Sequence, residues 1–485
     1  MAEKPEAVAT IKTIKTVATI EAVWRVEAAR VVATLARHTG DLGLAEELAQ
    51  DALVAALEQW PAEGVPTRPG AWLTAVGKRR AVDHFRRAET LRRKVGELGR
   101  ELEIDGQGCE IDVEALDSAA AIDDDLLRLI FTACHPVLSA EARVALTLRV
   151  LGGLSTPEIA RAFLVPESTA AQRIVRAKRT LAEAGIAFEA PDGPERRRRL
   201  ESVLEVVYLI FNEGYAATAG DDWLRPDLCE EALRLGRVLV GLMPAEPEVH
   251  ALVALMEIQD SRRHARSGPD GEPVLLLDQD RAKWDWLQIE RGLKALARAD
   301  AAFTAQVDAA SAARAAGEMR SGDRPADPGT PAKPAEPTKP TEPAKPADPT
   351  AAPGPGAYHL QAALAACHAR ARTAEATDWH LIADLYDRLV RQTRSPVVEL
   401  NRAVAVGMAE GPAAGLEITE ALVGLRAMQG YHLLPSVRGD LLFRLGRHAE
   451  ARAEFERAAE LTANTRERAL LRARAAACEA RAAES

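Results

Sequence analysis

Across residues 154–181 the apolar positions follow two short helical rhythms on either side of a proline. Ile159 and Phe163 recur at i and i+4. Ala170, Ile174, Ala177 and Leu181 then recur at steps of four, three and four, which puts them in one stripe of a second helix. The start of the first helix is marked by Ser155 with Glu158 at the third helical position, a capping box, and by Leu154 and Ile159 placed as a hydrophobic staple. Pro157 lies in the first turn, where its missing N–H costs little. Leu164, Val165 and Pro166 form the turn, because proline disfavours helix in the residue before it. The pattern predicts a helix, a tight turn, and a second helix starting at Glu167 or Ser168.

Similar rhythms predict an all-α protein. Helices are expected over 24–38, over 44–60 with Pro61 as the stop, and over 71–93, with the three-proline loop 61–69 between the last two. Residues 1–20 precede them as a tail. Residues 97–125 form an acidic, glycine-interrupted connector, and a second helical unit spans 123–187. A further helical block is interrupted at Gly214, Gly220, Pro226 and Pro244. The tract 319–357, with its regular proline, alanine and charged residues, cannot build a core and is expected to be an extended, semi-rigid linker. Helical pattern resumes at 358. There Gly439, Gly446, Ala451, Phe455 and Ala458 stand at tetratricopeptide-repeat offsets, and 401–422 is a degenerate earlier copy. The expected divisions are 1–20, 21–95, 96–121, 122–187, 195–318, 319–357 and 358–485.

Composition narrows the function. The chain has 485 residues, enough for about three domains. Its net charge of −10 argues against unselective coating of nucleic acid. That charge is uneven: basic residues gather at 78–94, 173–179 and 196–199, and acidic ones at 97–125, a pattern suited to nucleic-acid contact through a few surfaces. The five scattered cysteines include no C-x-x-C pair and read as reduced thiols of a cytoplasmic protein. Lysines 4, 12 and 15 interrupt the apolar residues of 1–20, so no signal peptide is expected, and no segment is long enough to span a bilayer. No nucleotide fingerprint, metal spacing or nucleophile motif appears. The adjacent pairs Cys134-His135 and Cys367-His368 diverge by about 100 degrees on a helix, so neither forms an obvious thiolate–imidazole couple. The expectation is no catalytic residue, no cofactor and no metal: a protein that is not an enzyme.

The face opposite the stripe of the second helix carries the candidate chemistry. The candidate DNA-binding residues are Ser168, Thr169, Gln172, Arg173, Arg176 and Arg179, with Lys178 on the flank. Glutamine can read adenine, and arginine can read guanine or hold phosphate, in a major groove that admits one helix. The alternative is a solvated basic face.

A second block completes the pattern: Asp41-Leu42-Gly43-Leu44-Ala45-Glu46-Glu47-Leu48-Ala49-Gln50-Asp51-Ala52-Leu53, then Pro69-Gly70-Ala71-Trp72-Leu73-Thr74-Ala75-Val76-Gly77-Lys78-Arg79-Arg80-Ala81-Val82-Asp83-His84-Phe85-Arg86-Arg87. These stretches resemble region 2 of extracytoplasmic-function sigma factors of the sigma-70 family, and 122–185 resembles region 4. The tail, with Phe211-Asn212-Glu213-Gly214-Tyr215-Ala216-Ala217, resembles the subgroup with a helical, tetratricopeptide-like C-terminal extension. The resemblance implies two helical sigma modules followed by that extension. It implies core RNA polymerase as partner, through its β′ coiled coil and β flap, and promoter DNA, read at the −10 and −35 elements. It assigns polymerase contact to Glu46, Glu47, Gln50 and Asp51, −10 contact to Trp72, Lys78, Arg79, Arg80, Arg86 and Arg87, and −35 contact to the helix-turn-helix. Arg79 stands where the family often has asparagine, and Ala171 where it commonly has a basic residue. A protein regulator acting through the tetratricopeptide-like region is a further expected partner, and the extension is expected to modulate activity. The competing readings are a helix-turn-helix regulator with a sensing domain, not bound to polymerase, and an interaction scaffold.

Overall fold

In the computed structural model, the described residues are 5–98, 119–163, 165–216, 224–269, 272–321 and 354–484. Among them the secondary structure is helical, with one isolated bridge between Ser267 and Pro273. Most of the acidic connector and of the proline-rich tract lies outside the described residues. The chain divides into two compact units, one essentially 1–242 and the other 243–485. This division falls inside the block read from sequence as 195–318.

The first unit opens with three helices, α1 (Pro5–Thr39), α2 (Leu42–Glu63) and α3 (Pro69–Leu98). α1 extends well before residue 24, so part of the stretch expected as a tail is helical. Its apolar stripe of Ile20, Ala28, Val31, Val32, Leu35 and Ala36 is buried. Asp41 caps α2 by accepting from the amides of Gly43 at 2.7 Å and Leu44 at 3.1 Å. α2 continues past Pro61, which the sequence suggested as its stop. The proline falls in the last turn, and Gly64, at φ +91°, ends the helix by donating to the Trp60 carbonyl at 2.9 Å. α3 packs closely on α1 at Gly77, where a Cβ would lie 2.7 Å from a methyl of Leu35.

α4 (Ala119–Ala133), α5 (Ala140–Val150), α6 (Thr156–Ala162) and α7 (Glu167–Glu183) follow, and α8 (Gly193–Tyr215) and α9 (Pro226–Leu242) complete the unit. α4 packs along α1. Arg37 of α1 and Asp125 of α4 form an ion pair at 3.0 Å, with Asp125 almost completely buried. α8 is fixed to α5 by Arg143, which bonds Ser202 and pairs with Glu205 at 2.9 Å. Ser202 in turn donates to the Cys134 carbonyl at 2.6 Å.

The second unit is built on α10 (Pro247–Asp260), buried on nearly every side. α11 (Trp286–Ser321) and α12 (Ala357–Arg370) pack against it. Between α10 and α11 the chain runs without regular helix beyond three short 3-10 turns. Arg281 in this stretch donates to the carbonyls of His368 at 2.8 Å and Ala371 at 2.5 Å, a cation at the C-terminus of α12. α13 (Trp379–Thr393), α14 (Pro396–Ala409), α15 (Pro412–Val423), α16 (Leu433–Arg444) and α17 (His448–Leu461) then pack each on the one before, and α18 (Thr465–Glu484) adds Leu471, Ala475 and Cys478 to the core around Phe455. The residues around Phe455 pack as their sizes imply. Ala451, Phe455 and Ala458 are buried, and Gly439 lets the Phe455 ring approach to where a Cβ would stand 2.8 Å away. Arg474 lies over the other part of that ring, 4.3 Å from its centroid.

Two outcomes follow. Phe455→Ala empties the centre of the last hairpins and is expected to cost about 3–5 kcal/mol in denaturant unfolding of the second unit; a loss below about 1 kcal/mol would contradict this packing. Burial, reinforced by Arg262 and Arg281, pushes His368 down to about 4. The unfolded chain therefore takes up this proton first as pH falls. The contribution is complete above about pH 6.5 and is lost between there and pH 4, to about 3 kcal/mol. His368→Gln should flatten the fall of melting temperature over that window, and an unchanged slope would contradict the assignment.

Candidate nucleic-acid interface

The helix-turn-helix is held by local chemistry. The Ser155 amide donates to Glu158 Oε2 at 2.7 Å, and the Glu158 amide donates back to Ser155 Oγ at 3.4 Å, so the capping box is formed. Partial burial opposes ionisation of Glu158, but the hydrogen bonds from Ser155, with Arg25 and Arg161 nearby, bring its carboxyl below the usual range. Ile159 is buried, and α7 begins at Glu167. Leu164 lies outside the described residues.

α7 separates its two faces sharply. Ala170, Ile174, Ala177 and Leu181 are buried. Ser168, Gln172, Arg176 and Arg179 are exposed on the other side, while Thr169 and Arg173 are half-buried at its edge. Arg179 pairs with Glu183 at 3.3 Å. Sequence reasoning missed Val175, which is 64% exposed beside this row. Its place three residues after Gln172 was the available signal, and an apolar contact there suits a thymine methyl.

α3 carries the second basic surface. The sequence left its orientation open. Here Leu73, Gly77 and Ala81, spaced four apart, face inward, and Arg79 and Arg86 stand opposite in solvent, with Arg87 exposed and Lys78 and Arg80 half-buried. Trp72 leans edge-on against the buried Trp60, centroids 5.3 Å apart, so much of its ring is committed to packing.

The acidic residues of α2 do not form one open row. Glu47 is exposed, and Asp51, also exposed, pairs with Arg80 of α3 at 2.9 Å. Glu46 is only 6% exposed. Its carboxylate accepts from Arg149 Nε of α5 at 2.6 Å and from Gln50 Nε2 at 2.9 Å, and it pairs with Lys178 of the second helix of the helix-turn-helix. The polar face expected from sequence thus has its first member turned inward, because two cations distant in sequence compete successfully with water for it.

The C-terminal extension reaches this interface. Arg225, just before α9, bonds the Ala162 carbonyl at the end of α6 and pairs with Glu213 of α8. A cavity of about 230 Å³ between α8 and the helix-turn-helix is walled by Val144, Ile159, Phe163, Val165 and Leu209 and reaches Arg173.

The adjacent cysteine–histidine pairs hold buried thiols. Burial pushes Cys134 up to about 11 and raises Cys367, while His368 stays neutral. Among the described residues no cluster of metal-ligating side chains occurs, and no helix is long and apolar enough to cross a membrane.

Comparison with known proteins matches three stretches of the chain. Residues 24–90 match the model of sigma-70 region 2, 128–181 that of sigma-70 region 4, and 199–300 a family of unknown function, DUF6596. An uncharacterized protein of Rhizobium meliloti (strain 1021) is 41% identical over 443 residues, covering 91% of this chain and 92% of that protein. A probable ECF RNA polymerase sigma factor, SigI, of Mycobacterium tuberculosis (strain ATCC 25618 / H37Rv) is 30% identical over 176 residues, 36% of this chain and 58% of that protein. No solved structure matches.

Loss of the cap tests the local account. Ser155→Ala should cost about 1 kcal/mol in unfolding of the first unit. An effect within about 0.3 kcal/mol of zero would show that tertiary packing alone sets the start of α6.

Proposed function

Since the chain belongs to the sigma-70 family, as a factor of the extracytoplasmic-function type with a C-terminal extension, we propose that it recruits core RNA polymerase to promoters whose −10 and −35 elements it reads itself. The observation that carries this reading is the exposed row Ser168, Gln172, Val175, Arg176 and Arg179, set on a helix whose opposite stripe is buried in the same compact unit as the basic face of α3.

The −35 element is read by α7. Gln172 and Arg176 offer bidentate hydrogen bonding to base edges, Val175 offers an apolar contact, and Ser168, Thr169, Arg173 and Arg179 hold flanking phosphates. The −10 element is opened and held by α3. Arg79, Arg86 and Arg87 present charge to the strand, and Lys78 and Arg80 lie at the edge of that face. Trp72 serves mainly as a wall packed on Trp60. Polymerase contact falls to the acidic α2 through Glu47, Gln50, Asp51 and, once released from its internal partners, Glu46, with electrostatic steering toward the basic β′ coiled coil. Region 4 meets the β flap. The extension modulates activity through α8 and α9, since the Arg225 contact and the shared cavity bring it against the helix-turn-helix. A protein regulator would act on the tetratricopeptide-like hairpins. The protein is not an enzyme, works without metal or cofactor, and acts in the cytoplasm.

The test is transcription in vitro with core polymerase and a promoter library, followed by Gln172→Ala and Arg176→Ala on the selected promoter. Each variant should lose about 1–3 kcal/mol of binding at one −35 position and relax the preference there. A uniform loss across all sequences would reduce the residue to a phosphate contact. Absence of promoter-dependent initiation from the whole library would overturn the reading.

A further inference from the structure

In the second unit, the corner where α11 begins and α12 ends holds apolar and cationic side chains side by side in water. Trp286 is 37% exposed and Leu287, beside it in the first turn of α11, is 71% exposed. Arg372 lies over the Trp286 ring, 5.1 Å from its centroid. Arg370 at the end of α12 and Lys283 just before α11 flank the pair in sequence and are exposed, as is Arg372. The platform beneath is fixed. Arg281 lies over the buried Trp284 ring at 4.7 Å and donates to the carbonyls of His368 at 2.8 Å and Ala371 at 2.5 Å, which ties the start of α11 to the end of α12. The acids of the corner serve their own segments. Asp280 accepts from the Ala282 amide at 2.9 Å, Asp285 from the Gln288 amide at 2.9 Å and Asp378 from the Leu381 amide at 3.0 Å. Glu290 pairs with Lys294 at 2.7 Å, and Glu375 accepts from its own amide and from Thr373. Among the described residues, Lys283, Arg370 and Arg372 form no ion pair.

We infer that this corner is a docking surface for an acidic segment of another protein, one in which carboxylates flank a bulky apolar side chain. The inference deepens the reading of the extension as the target of a protein regulator: its role in transcription rests on that reading, and it names the surface and the chemistry of the contact. The apolar side chain covers Trp286 and Leu287, and the carboxylates replace water at Lys283, Arg370 and Arg372. A guanidinium stacked on an indole keeps the N–H donors of its edge for a carboxylate. Tryptophan and arginine are the side chains that most often carry binding energy at protein interfaces. A platform already fixed by Arg281 and Trp284 gives up little freedom when a partner arrives. Single-stranded nucleic acid also seeks cations and aromatic rings, but it stacks its bases on bare ring faces. Here Arg372 already occupies a face of Trp286, and the most exposed apolar group, Leu287, is aliphatic. Both features favour a peptide.

The test pans a library of random dodecapeptides on the purified full chain, with the double variant Arg370→Glu, Arg372→Glu used to remove peptides that bind elsewhere. The selected sequences should be rich in aspartate and glutamate around an aromatic or aliphatic residue. A fluorescent synthetic copy of the leading sequence, followed by anisotropy, should saturate at one peptide per chain. Leu287→Asp and Arg372→Glu should each weaken its binding by about tenfold or more. Both side chains are exposed, and an aspartate suits the first turn of a helix, so each variant should melt within about 2 °C of the parent. Selection of no sequence, selection without an acidic bias, or equal binding by the parent and both variants would overturn the proposal. Oligodeoxythymidylate of the same charge should compete weakly; a strand that binds this corner more tightly than the peptide would assign it to nucleic acid and overturn the proposal as well. Initiation with core polymerase, assayed on the same preparations, separates the two ideas. A chain that initiates but selects no acidic peptide refutes the docking surface alone. One that selects acidic peptides but never initiates refutes the sigma reading and leaves the surface standing.

Discussion

A carboxylate withdrawn from water must find replacements for the water it loses, and in this protein that constraint falls on Glu46. Leaving such a group buried and unpaired costs several kcal/mol. Arg149, Lys178 and Gln50 together supply the replacement. Gln50 lies one turn along the same helix, but the two cations reach Glu46 only because α2, α5 and α7 are brought to one place. The helical bundle of α1–α3 and the helix-turn-helix are therefore a single packed body, not two beads on a string. A buried pair of this kind contributes little net stability compared with an apolar substitute, yet breaking one side is costly.

The extension has the same logic at the far side of the helix-turn-helix. α8 and α9 belong to the first unit, anchored by Arg143, Ser202 and Arg225, and they leave a largely apolar cavity against α6 and α7. α7 thus stands between two neighbours, α2 at the Glu46–Lys178 pair and α8 across the cavity. The second unit packs its last helices around Phe455, which the absence of a side chain at Gly439 lets sit close to α16.

What could be read from the residues alone was what depends on near neighbours. The capping box, the turn at Val165 and Pro166, and the stripe of Ala170, Ile174, Ala177 and Leu181 are set by side chains within a turn or two of one another, and all are present. The repeat signature around Phe455 is likewise local. The misjudged features depend on distant partners or on position within a turn. Glu46 looks solvated because Arg149 lies 103 residues away in sequence. Pro61 looks like a stop, but in the final turn a missing N–H and a crowded carbonyl are tolerated. The orientation of α3 was hidden because Gly77 is part of its inward face, and glycine contributes nothing to an apolar count. The division near residue 242 falls within a continuous helical pattern and is set by packing alone.

The account stands on one claim: α2, α5 and α7 are held in one packed body by cations that replace water around the buried carboxylate of Glu46. Denaturant unfolding of Arg149→Ala, which leaves that carboxylate buried with one cation fewer, tests it most directly. The first unit should lose about 3–5 kcal/mol of stability. A change within about 0.5 kcal/mol of zero would contradict it.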